Sequence, residues 1–234
     1  MGQGDVFVAF LDILGFKSLI NENSNDELEE LYDKIFSDKI FNLFKENKVN
    51  FISISDSYVL YTQNNTYTSL LQIISAVGVL FTISMANGLP LRGAITVGRI
   101  FTRKNKFNKI NQFNVFGKPL VRAYELESEQ EWAGCRIDPQ CFLSLGDKME
   151  YSINRLIDFK FIIKYRVPLK DNVYSEEYVL NWTNFHVTSL GGTNRLNIDL
   201  KFSMHRKKIN SFAVKLKISN TVDFLIFINA IEAE

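Results

Sequence analysis

Hydrophobic residues follow a strand-like pattern in several short segments of the chain. Residues 5–12 are a β-branched and aromatic run that ends on a polar residue, and this predicts a buried strand. Residues 49–55 and 58–62 predict a hairpin that turns at Asp56 and Ser57. Further strands are predicted at 91–97, 111–116, 135–143, 159–167 and 176–182.

Helical spacing fills most of the intervals between these strands. Ser24 and Glu27 have the spacing of a capping box, which predicts a helix from there to about Lys45. The apolar stretch 66–87 approaches membrane-span length, but polar residues interrupt it, so a buried helix is favoured over a transmembrane span. The remaining predicted elements are a charged hairpin tip at 103–109, a helix from Gly117 to about Glu129, and a C-terminal helix at 219–232 capped by Asn220.

This order of strands and helices predicts an α/β sandwich, with residues 1–234 forming a single domain. The composition supports a large core, because 46% of the residues are hydrophobic and there are 20 Phe and nine Tyr. Lys and Arg number 27 against 26 Asp and Glu, which leaves a net charge of +1. Such a balance gives no overall attraction to nucleic acid or to an anionic membrane.

The cysteines and the N-terminal segment predict the compartment in which the protein is found. Cys135 and Cys141 are the two cysteines of the sequence and form neither a disulfide framework nor a zinc pattern. The N-terminus has no basic region before its apolar run, so a signal peptide is not expected. We therefore expect ordinary thiols in a reducing compartment and a cytoplasmic protein.

Three charged residues stand at predicted strand ends or turns. Asp12 ends the first strand, Asp56 lies in the hairpin turn, and Arg92 lies near the start of a later strand. If the first strand pairs with the hairpin, the two carboxylates converge and suit a hard cation such as Mg²⁺ or Mn²⁺. Gly15 lets backbone N–H groups approach a phosphate. The alternative is that Asp12 is a cap and Asp56 an ordinary turn residue.

Four motifs in this order resemble the catalytic core of class III nucleotidyl cyclases over residues 5 to 130: FLDILGF, SISDSYVLY, LRGAITVG and VFGKPLVRAYELE. The resemblance implies a ferredoxin-like core with a central antiparallel sheet flanked by helices, a catalytic core at about 5–145 and a C-terminal extension at 146–234. It also implies site roles. Asp12 and Asp56 would bind two divalent metal ions with the Ile13 carbonyl, and Arg92 would contact the β- and γ-phosphates. Backbone N–H groups of Ile13, Leu14, Gly15 and Phe16 would hold the phosphates.

The sequence departs from the adenylate and guanylate cyclase patterns at the base-reading positions. Ile52 and Asn114 stand where adenylate cyclases carry a Lys and an Asp. The transition-state Asn and Arg of the family fall at Val121 and Glu125, and Arg122, one position away, is our candidate substitute.

This altered pattern resembles the bacterial pyrimidine cyclases of Pycsar antiphage systems. The resemblance implies that UTP or CTP is converted to cyclic UMP or cyclic CMP, which activates a separate effector. It further implies a homodimer with shared active sites. Phe51 and Tyr58 are expected to fill a pocket for the smaller base, and the alternative is that both are core aromatics. Asn114 offers both a donor and an acceptor to either pyrimidine.

Two other readings stay open. One is a nucleotide-binding sensor on a degenerate cyclase fold, which Val121 and Glu125 favour. The other is an adenylate or guanylate cyclase with unusual base contacts. The basic cluster Arg206-Lys207-Lys208 is expected to be a solvated turn, with a phosphate contact as the alternative.

Overall fold

A computed structural model of the chain describes residues 4–107, 110–185 and 195–230, which contain nine strands and nine α-helices. The strands are β1 (Val6–Ile13), β2 (Asn50–Ile54), β3 (Ser57–Tyr61), β4 (Leu91–Gly98), β5 (Phe101–Phe107), β6 (Ile110–Phe116), β7 (Cys135–Ile137), β8 (Ile162–Pro168) and β9 (Tyr174–Leu180). The helices are α1 (Phe16–Glu22), α2 (Asn25–Ile35), α3 (Asp38–Glu46), α4 (Tyr67–Ala86), α5 (Lys118–Ser128), α6 (Gln140–Leu143), α7 (Met149–Asp158), α8 (Arg195–Ser203) and α9 (Phe212–Phe227).

Seven strands form one sheet in the order β2-β3-β1-β4-β7-β9-β8, and β5 and β6 form a separate two-stranded sheet. The sheet is mixed, because β4 pairs with β7 in parallel while the other pairs are antiparallel. The α/β architecture with a helix-flanked central sheet is therefore confirmed, but the sheet is not antiparallel throughout. Strands β8 and β9 extend it through β7, so the region after residue 146 contributes to the same sheet.

Strand β1 buries apolar side chains on both faces of the sheet. Phe7, Ala9 and Leu11 face the larger core, which contains most of α4. The alternate residues Val6 and Val8 belong to a second apolar cluster on the opposite face. Since successive strand residues point to opposite faces, every residue of β1 from 6 to 12 can be assigned to one of the two layers.

The first predicted helix is two helices. The capping box is confirmed, because the Ser24 hydroxyl accepts from the Glu27 N–H and the Glu27 carboxylate accepts from the Ser24 N–H. However, α2 ends at Ile35 with Phe36 as its C-cap, and α3 begins after Ser37, whose backbone is extended. Ser37 is followed by Asp38, which is a second helix-start signal inside the predicted span.

Helix α4 confirms the prediction of a helix at 66–87, with Thr66 as its N-cap. It is long and apolar enough to cross a membrane by length and composition, with a mean hydropathy of 1.9 over its most apolar window. In the structure 78% of that window is buried. The helix therefore lies in the protein core, as its polar interruptions indicated.

Three other predicted segments differ from the structure. Residues 103–107 continue strand β5, whereas 108–109 lie outside the described residues. The segment 135–143 is a strand only as far as Ile137, because α6 follows Pro139. The C-terminal helix begins at Phe212 with Ser211 as its cap, while Asn220 is buried and donates to the Glu131 carbonyl.

Both cysteines are fully buried. Burial raises the pKa of the Cys135 thiol and that of the Cys141 thiol well above their usual values. They are free thiols packed in the core, in agreement with the absence of a disulfide pattern in the sequence.

The capping box gives a stability prediction with an internal control. Replacing Ser24 by Ala removes the hydroxyl that accepts the Glu27 N–H, so we expect the free energy of unfolding to fall by about 1 kcal/mol. Ser37→Ala is the matched control, since the Ser37 side chain makes no capping hydrogen bond. Urea denaturation followed by circular dichroism measures both variants, and equal losses would contradict the assignment.

Candidate active site

The predicted acidic pair lies at one corner of the large sheet. Asp12, near the end of β1, is directly opposite Ser57 on β3 and Arg92 on β4. The N–H of Ile13 donates to the carbonyl of Asp56 at 3.0 Å, which attaches the β2–β3 turn to the end of β1. The structure therefore brings Asp12, Asp56 and Arg92 together, as the resemblance implied.

Glu127 is a component of this corner that the sequence analysis missed. The Arg92 Nε donates to the carboxylate of Glu127, and Arg92 NH1 donates to the Gln130 carbonyl at 2.7 Å. The Arg92 and Glu127 side chains are 13% and 3% exposed, so the ion pair is largely shielded from water. A signal was present, because Glu127 lies on the buried side of α5 with Ala123 and Leu126. A charged residue at a core-facing helix position indicates a buried partner.

The guanidinium of Arg92 is thus occupied by Glu127 of α5 and by the Gln130 carbonyl that follows this helix. Its predicted contact with the β- and γ-phosphates stays a prediction, and a phosphate would have to compete with Glu127 for the same group. The anionic Glu127 also faces the acidic pair, so the corner holds three carboxylates and one guanidinium.

The electrostatics of Asp12 follow from its burial and from this excess of negative charge. Burial, the Glu127 carboxylate and the Asp56 carboxylate raise the pKa of Asp12 to about 7, although Arg92 acts in the opposite direction. Burial is also the main reason that the pKa of Glu127 is raised. Additional positive charge at this corner would stabilise the ionised carboxylates.

The phosphate-binding prediction for residues 13–16 needs a partial correction. The Ile13 N–H donates to Asp56, and the Leu14 N–H donates to the Pro90 carbonyl at 2.9 Å, so neither is available to a ligand. Gly15 has a φ of 81° and is exposed at the start of α1. The N–H groups of the first helical turn have no acceptor within the helix, so this end of the turn keeps free donors.

The predicted base-pocket residues divide between the two faces of the sheet. Ile52 packs against the second apolar cluster, on the face that carries Asp12 and Arg92. Phe51 and Tyr58 belong to the larger core on the opposite face, and Tyr58 is fully buried. Their rings lie 5.7 Å apart within a cluster that includes Phe36 and Phe44. Residues 51 and 52 are adjacent in β2 and point to opposite sides, so Phe51 and Tyr58 do not share the face of Ile52 and Asp12. This corrects the expectation that they fill a base pocket there, and both are core aromatics.

Asn114 and Arg122 lie away from Asp12 within one chain. Asn114 is on β6, opposite Arg103 of β5 in the two-stranded sheet. Arg122, on α5, donates through Nε to Asp138 at 3.1 Å. It lines a groove of about 610 Å³ whose lining does not include Asp12, Asp56 or Arg92. The resemblance implies a role for either residue at the acidic corner of a second copy of the chain, and that role stays a prediction.

The donor set at the corner fits a divalent cation in part. The Asp12 and Asp56 carboxylates are hard oxygen ligands, and burial together with the neighbouring Glu127 carboxylate raises the pKa of Asp12. Among the described residues no group of three or more His, Cys, Asp or Glu side chains is placed to hold a metal. A pair of carboxylates suits a cation such as Mg²⁺, which keeps waters and takes further oxygens from bound phosphates.

Comparison with known proteins identifies the fold. No family model matches the sequence, and no curated protein matches it. Among solved structures, the adenylyl cyclase CyaB from P. aeruginosa is similar with a TM-score of 0.52 and 14% identity, covering 76% of this chain and 93% of that one.

Two guanylyl cyclase structures show the same likeness. The catalytic core of a rhodopsin-guanylyl cyclase with converted specificity, in complex with ATPαS, gives a TM-score of 0.55 at 12% identity, covering 76% of this chain and 95% of that one. A non-canonical dimeric guanylyl cyclase domain of the RhoGC fusion protein from the aquatic fungus Blastocladiella emersonii gives a TM-score of 0.51 at 13% identity, covering 76% of this chain and 96% of that one. The chain therefore has the catalytic fold of class III nucleotidyl cyclases.

The raised pKa of Asp12 predicts how stability depends on pH. The usual pKa of this carboxyl is 3.8, so between pH 3.8 and about pH 7 Asp12 of the folded chain holds a proton that the unfolded chain has lost. The resulting stability is complete below about pH 4 and is lost as the pH rises to about 7. In the absence of divalent cations, the free energy of unfolding of Asp12→Asn should therefore fall less between pH 5 and pH 8 than that of the wild-type protein. Urea denaturation at the two pH values measures this difference.

The control for this experiment is Glu29→Gln, which makes the same charge change at an exposed position on α2. It should leave the pH dependence as in the wild-type protein. If Asp12→Asn kept the pH dependence of the wild-type protein, the pH dependence of stability could not be assigned to Asp12.

Proposed function

We propose that the protein is a metal-dependent nucleotidyl cyclase that converts a pyrimidine nucleoside triphosphate to its 3′,5′-cyclic monophosphate and pyrophosphate. The observation that carries the proposal is the meeting of Asp12 and Asp56 beside Arg92 within a cyclase fold. In the reaction, the ribose 3′-oxygen bonds to the α-phosphorus, and the bond from that phosphorus to the bridging oxygen breaks. The 3′-hydroxyl loses its proton, and pyrophosphate leaves.

Asp12 and Asp56, together with the Ile13 carbonyl, would hold two divalent metal ions, Mg²⁺ or Mn²⁺. These ions supply activation of the 3′-hydroxyl and screening of the triphosphate. The chain itself contributes the position of the two carboxylates, which the β1–β3 pairing and the Ile13 to Asp56 hydrogen bond fix. Free N–H groups at Gly15 and Phe16 would orient the phosphates, and Arg92 would add positive charge next to them.

The pyrimidine assignment rests on the residues at the two base-reading positions. Ile52 lies on the same face as Asp12 and presents an apolar surface where a purine-reading Lys would stand in adenylate cyclases. Asn114 supplies one amide donor and one acceptor, which can match the edge of uracil or, when flipped, of cytosine. We propose UTP as the preferred substrate and CTP as the second.

A homodimer with shared active sites is part of the proposal. Four large apolar side chains on α5 and the two-stranded sheet are more than half exposed: Phe101, Phe116, Val121 and Tyr124. Exposed apolar surface of this kind is typical of protein interfaces. In a dimer, Asn114 and Arg122 of one copy would complete the site whose Asp12 and Asp56 belong to the other.

The cyclic nucleotide would act as a second messenger in antiphage defence, as in the Pycsar systems that the motifs resemble. We propose that the protein is cytoplasmic and that its product activates a separate effector. The balanced net charge of +1 supports a small-molecule partner over nucleic acid.

A second candidate function is a nucleotide-binding sensor without turnover. The Arg92–Glu127 ion pair favours it, since this guanidinium is occupied where a catalytic site would present it to phosphate. Val121 and Glu125, at the positions of the family's transition-state pair, point the same way.

The test is incubation of purified protein with each of the four nucleoside triphosphates and Mn²⁺, followed by chromatography of the products. We expect cyclic UMP to form fastest, cyclic CMP second, and the purine products slowly. Asp12→Asn and Asp56→Asn should each abolish product while leaving the circular dichroism spectrum unchanged. Nucleotide binding without product would favour the sensor, and faster cyclic AMP or cyclic GMP synthesis would refute the pyrimidine assignment.

The base contact predicts a specific change in selectivity. Losing one hydrogen bond to the base edge costs about 1–3 kcal/mol, which corresponds to roughly 5- to 150-fold in selectivity. Asn114→Ala should therefore reduce the ratio of kcat/KM for UTP to that for CTP more than it reduces total turnover. Gln112→Ala, on the same strand, is the control. An unchanged ratio in Asn114→Ala would remove this residue from base recognition.

A further inference from the structure

The C-terminal end of α4 has an unusual set of partners. The last turn of the helix contains no basic residue, although helix C-termini carry a partial negative charge and unpaired carbonyls. The carbonyls of Ile83, Ser84 and Met85 accept from N–H groups of the following turn. The next three carbonyls, those of residues 86–88, have no such local donor.

Three basic side chains from a distant part of the sequence bind those three carbonyls in order. The Nζ of Lys201 donates to Ala86 at 2.6 Å, and the Nζ of Lys207 donates to Gly88 at 2.5 Å. Between them, His205 Nε2 lies 2.7 Å from the Asn87 carbonyl. Because a carbonyl can only accept, that nitrogen carries the proton. Residues 201–207 thus form a strap across the end of α4.

Lys207 is a buried ammonium group, not the solvated turn residue expected from the sequence. It is 5% exposed, and within the described part of the chain no carboxylate pairs with it. Burial accordingly lowers the pKa of Lys207 to about 7. Its neighbours Arg206 and Lys208 are exposed and paired with Glu27 and Glu22. Burying a cation that has no carboxylate partner costs free energy, so we expect Lys207 to have a role at this position.

The strap packs against the two glycine turns that shape the candidate active site. Gly15 and Gly88 both have positive φ, 81° and 75°. A Cβ on Gly15 would lie 3.4 Å from the Cδ of Lys207, and a Cβ on Gly88 would lie 2.5 Å from the Cβ of Met204. The two turns are themselves joined, since the Leu14 N–H donates to the Pro90 carbonyl. One turn follows Asp12 and the other precedes Arg92.

We propose that Lys201, His205 and Lys207 are positioning residues that cap α4 and hold the Gly15 and Gly88 turns in the geometry that metal and triphosphate binding require. The C-terminal region is then a necessary part of the active site, because it holds the two turns on which Asp12 and Arg92 depend. The link to catalysis rests on the proposed cyclase function, whereas the capping itself does not.

The first experiment measures positioning without reference to activity. Amide hydrogen exchange is followed by mass spectrometry on peptides that span residues 12–16 and 86–90. Lys207→Met keeps the apolar stem of the side chain and removes the donor, so exchange should accelerate in both peptides. Lys208→Met is the matched control, because Lys208 is 75% exposed and paired at the surface. Unchanged exchange in Lys207→Met would overturn the proposal.

A second pair of variants protects the test against a folding failure. His205→Gln replaces the imidazole N–H by an amide N–H that can donate to the Asn87 carbonyl, whereas His205→Leu introduces a side chain of similar size that cannot donate. His205→Gln should retain slow exchange at 86–90, and His205→Leu should lose it. Equal exchange in the two variants would contradict a donor role for His205.

The catalytic link is measured with the nucleotide that the wild-type protein turns over. We expect kcat/KM to fall by about 10- to 100-fold in Lys207→Met and to be unchanged in Lys208→Met. Faster exchange with unchanged kcat/KM would overturn the catalytic link. Wild-type protein that turns over no nucleotide would refute the proposed function, and the exchange data would still decide whether the strap positions the two turns.

Discussion

Burial of β1 on both faces is the constraint on which the rest of the structure depends. One face packs on the core that contains α4, and the other packs against Val59, Tyr61 and Ile100. A strand enclosed in this way tolerates a charged residue only at its end, and Asp12 stands there. The same enclosure brings α5 over the second face, where Phe10 meets Tyr124 edge-to-face, and so places Glu127 next to Arg92.

The motif residues of the site could be predicted from the sequence, because their function is tied to local chain geometry. Asp12 stands near the end of β1, Asp56 lies in the two-residue turn before β3, and Arg92 lies near the start of β4. Pairing of β1 with β3 and with β4 is therefore enough to assemble them. The same reasoning should have separated Ile52 from Phe51. Adjacent residues of one strand point to opposite faces, so they cannot line one pocket.

The residues that were missed depend on packing between distant segments. Glu127 and Lys207 are both charged and almost fully buried, and their partners are separated from them by many positions in the sequence. The helical pattern of α5 marks Glu127 as core-facing but does not identify Arg92 as its partner, and no pattern of hydrophobic residues marks Lys207 as buried. The break between α2 and α3 is different, since Ser37 and Asp38 carried a local signal that the longer helical pattern concealed.

The two buried cysteines have a practical consequence for studying the protein in solution. Only a thiolate reacts readily with maleimides or with disulfide reagents, and burial keeps both thiols protonated and out of contact with solvent. A cysteine introduced at an exposed position, such as Glu29 on α2, would thus be the single reactive thiol of the folded chain. Spin labels or fluorophores attached there would report distances between copies of the chain without any need to remove the native cysteines.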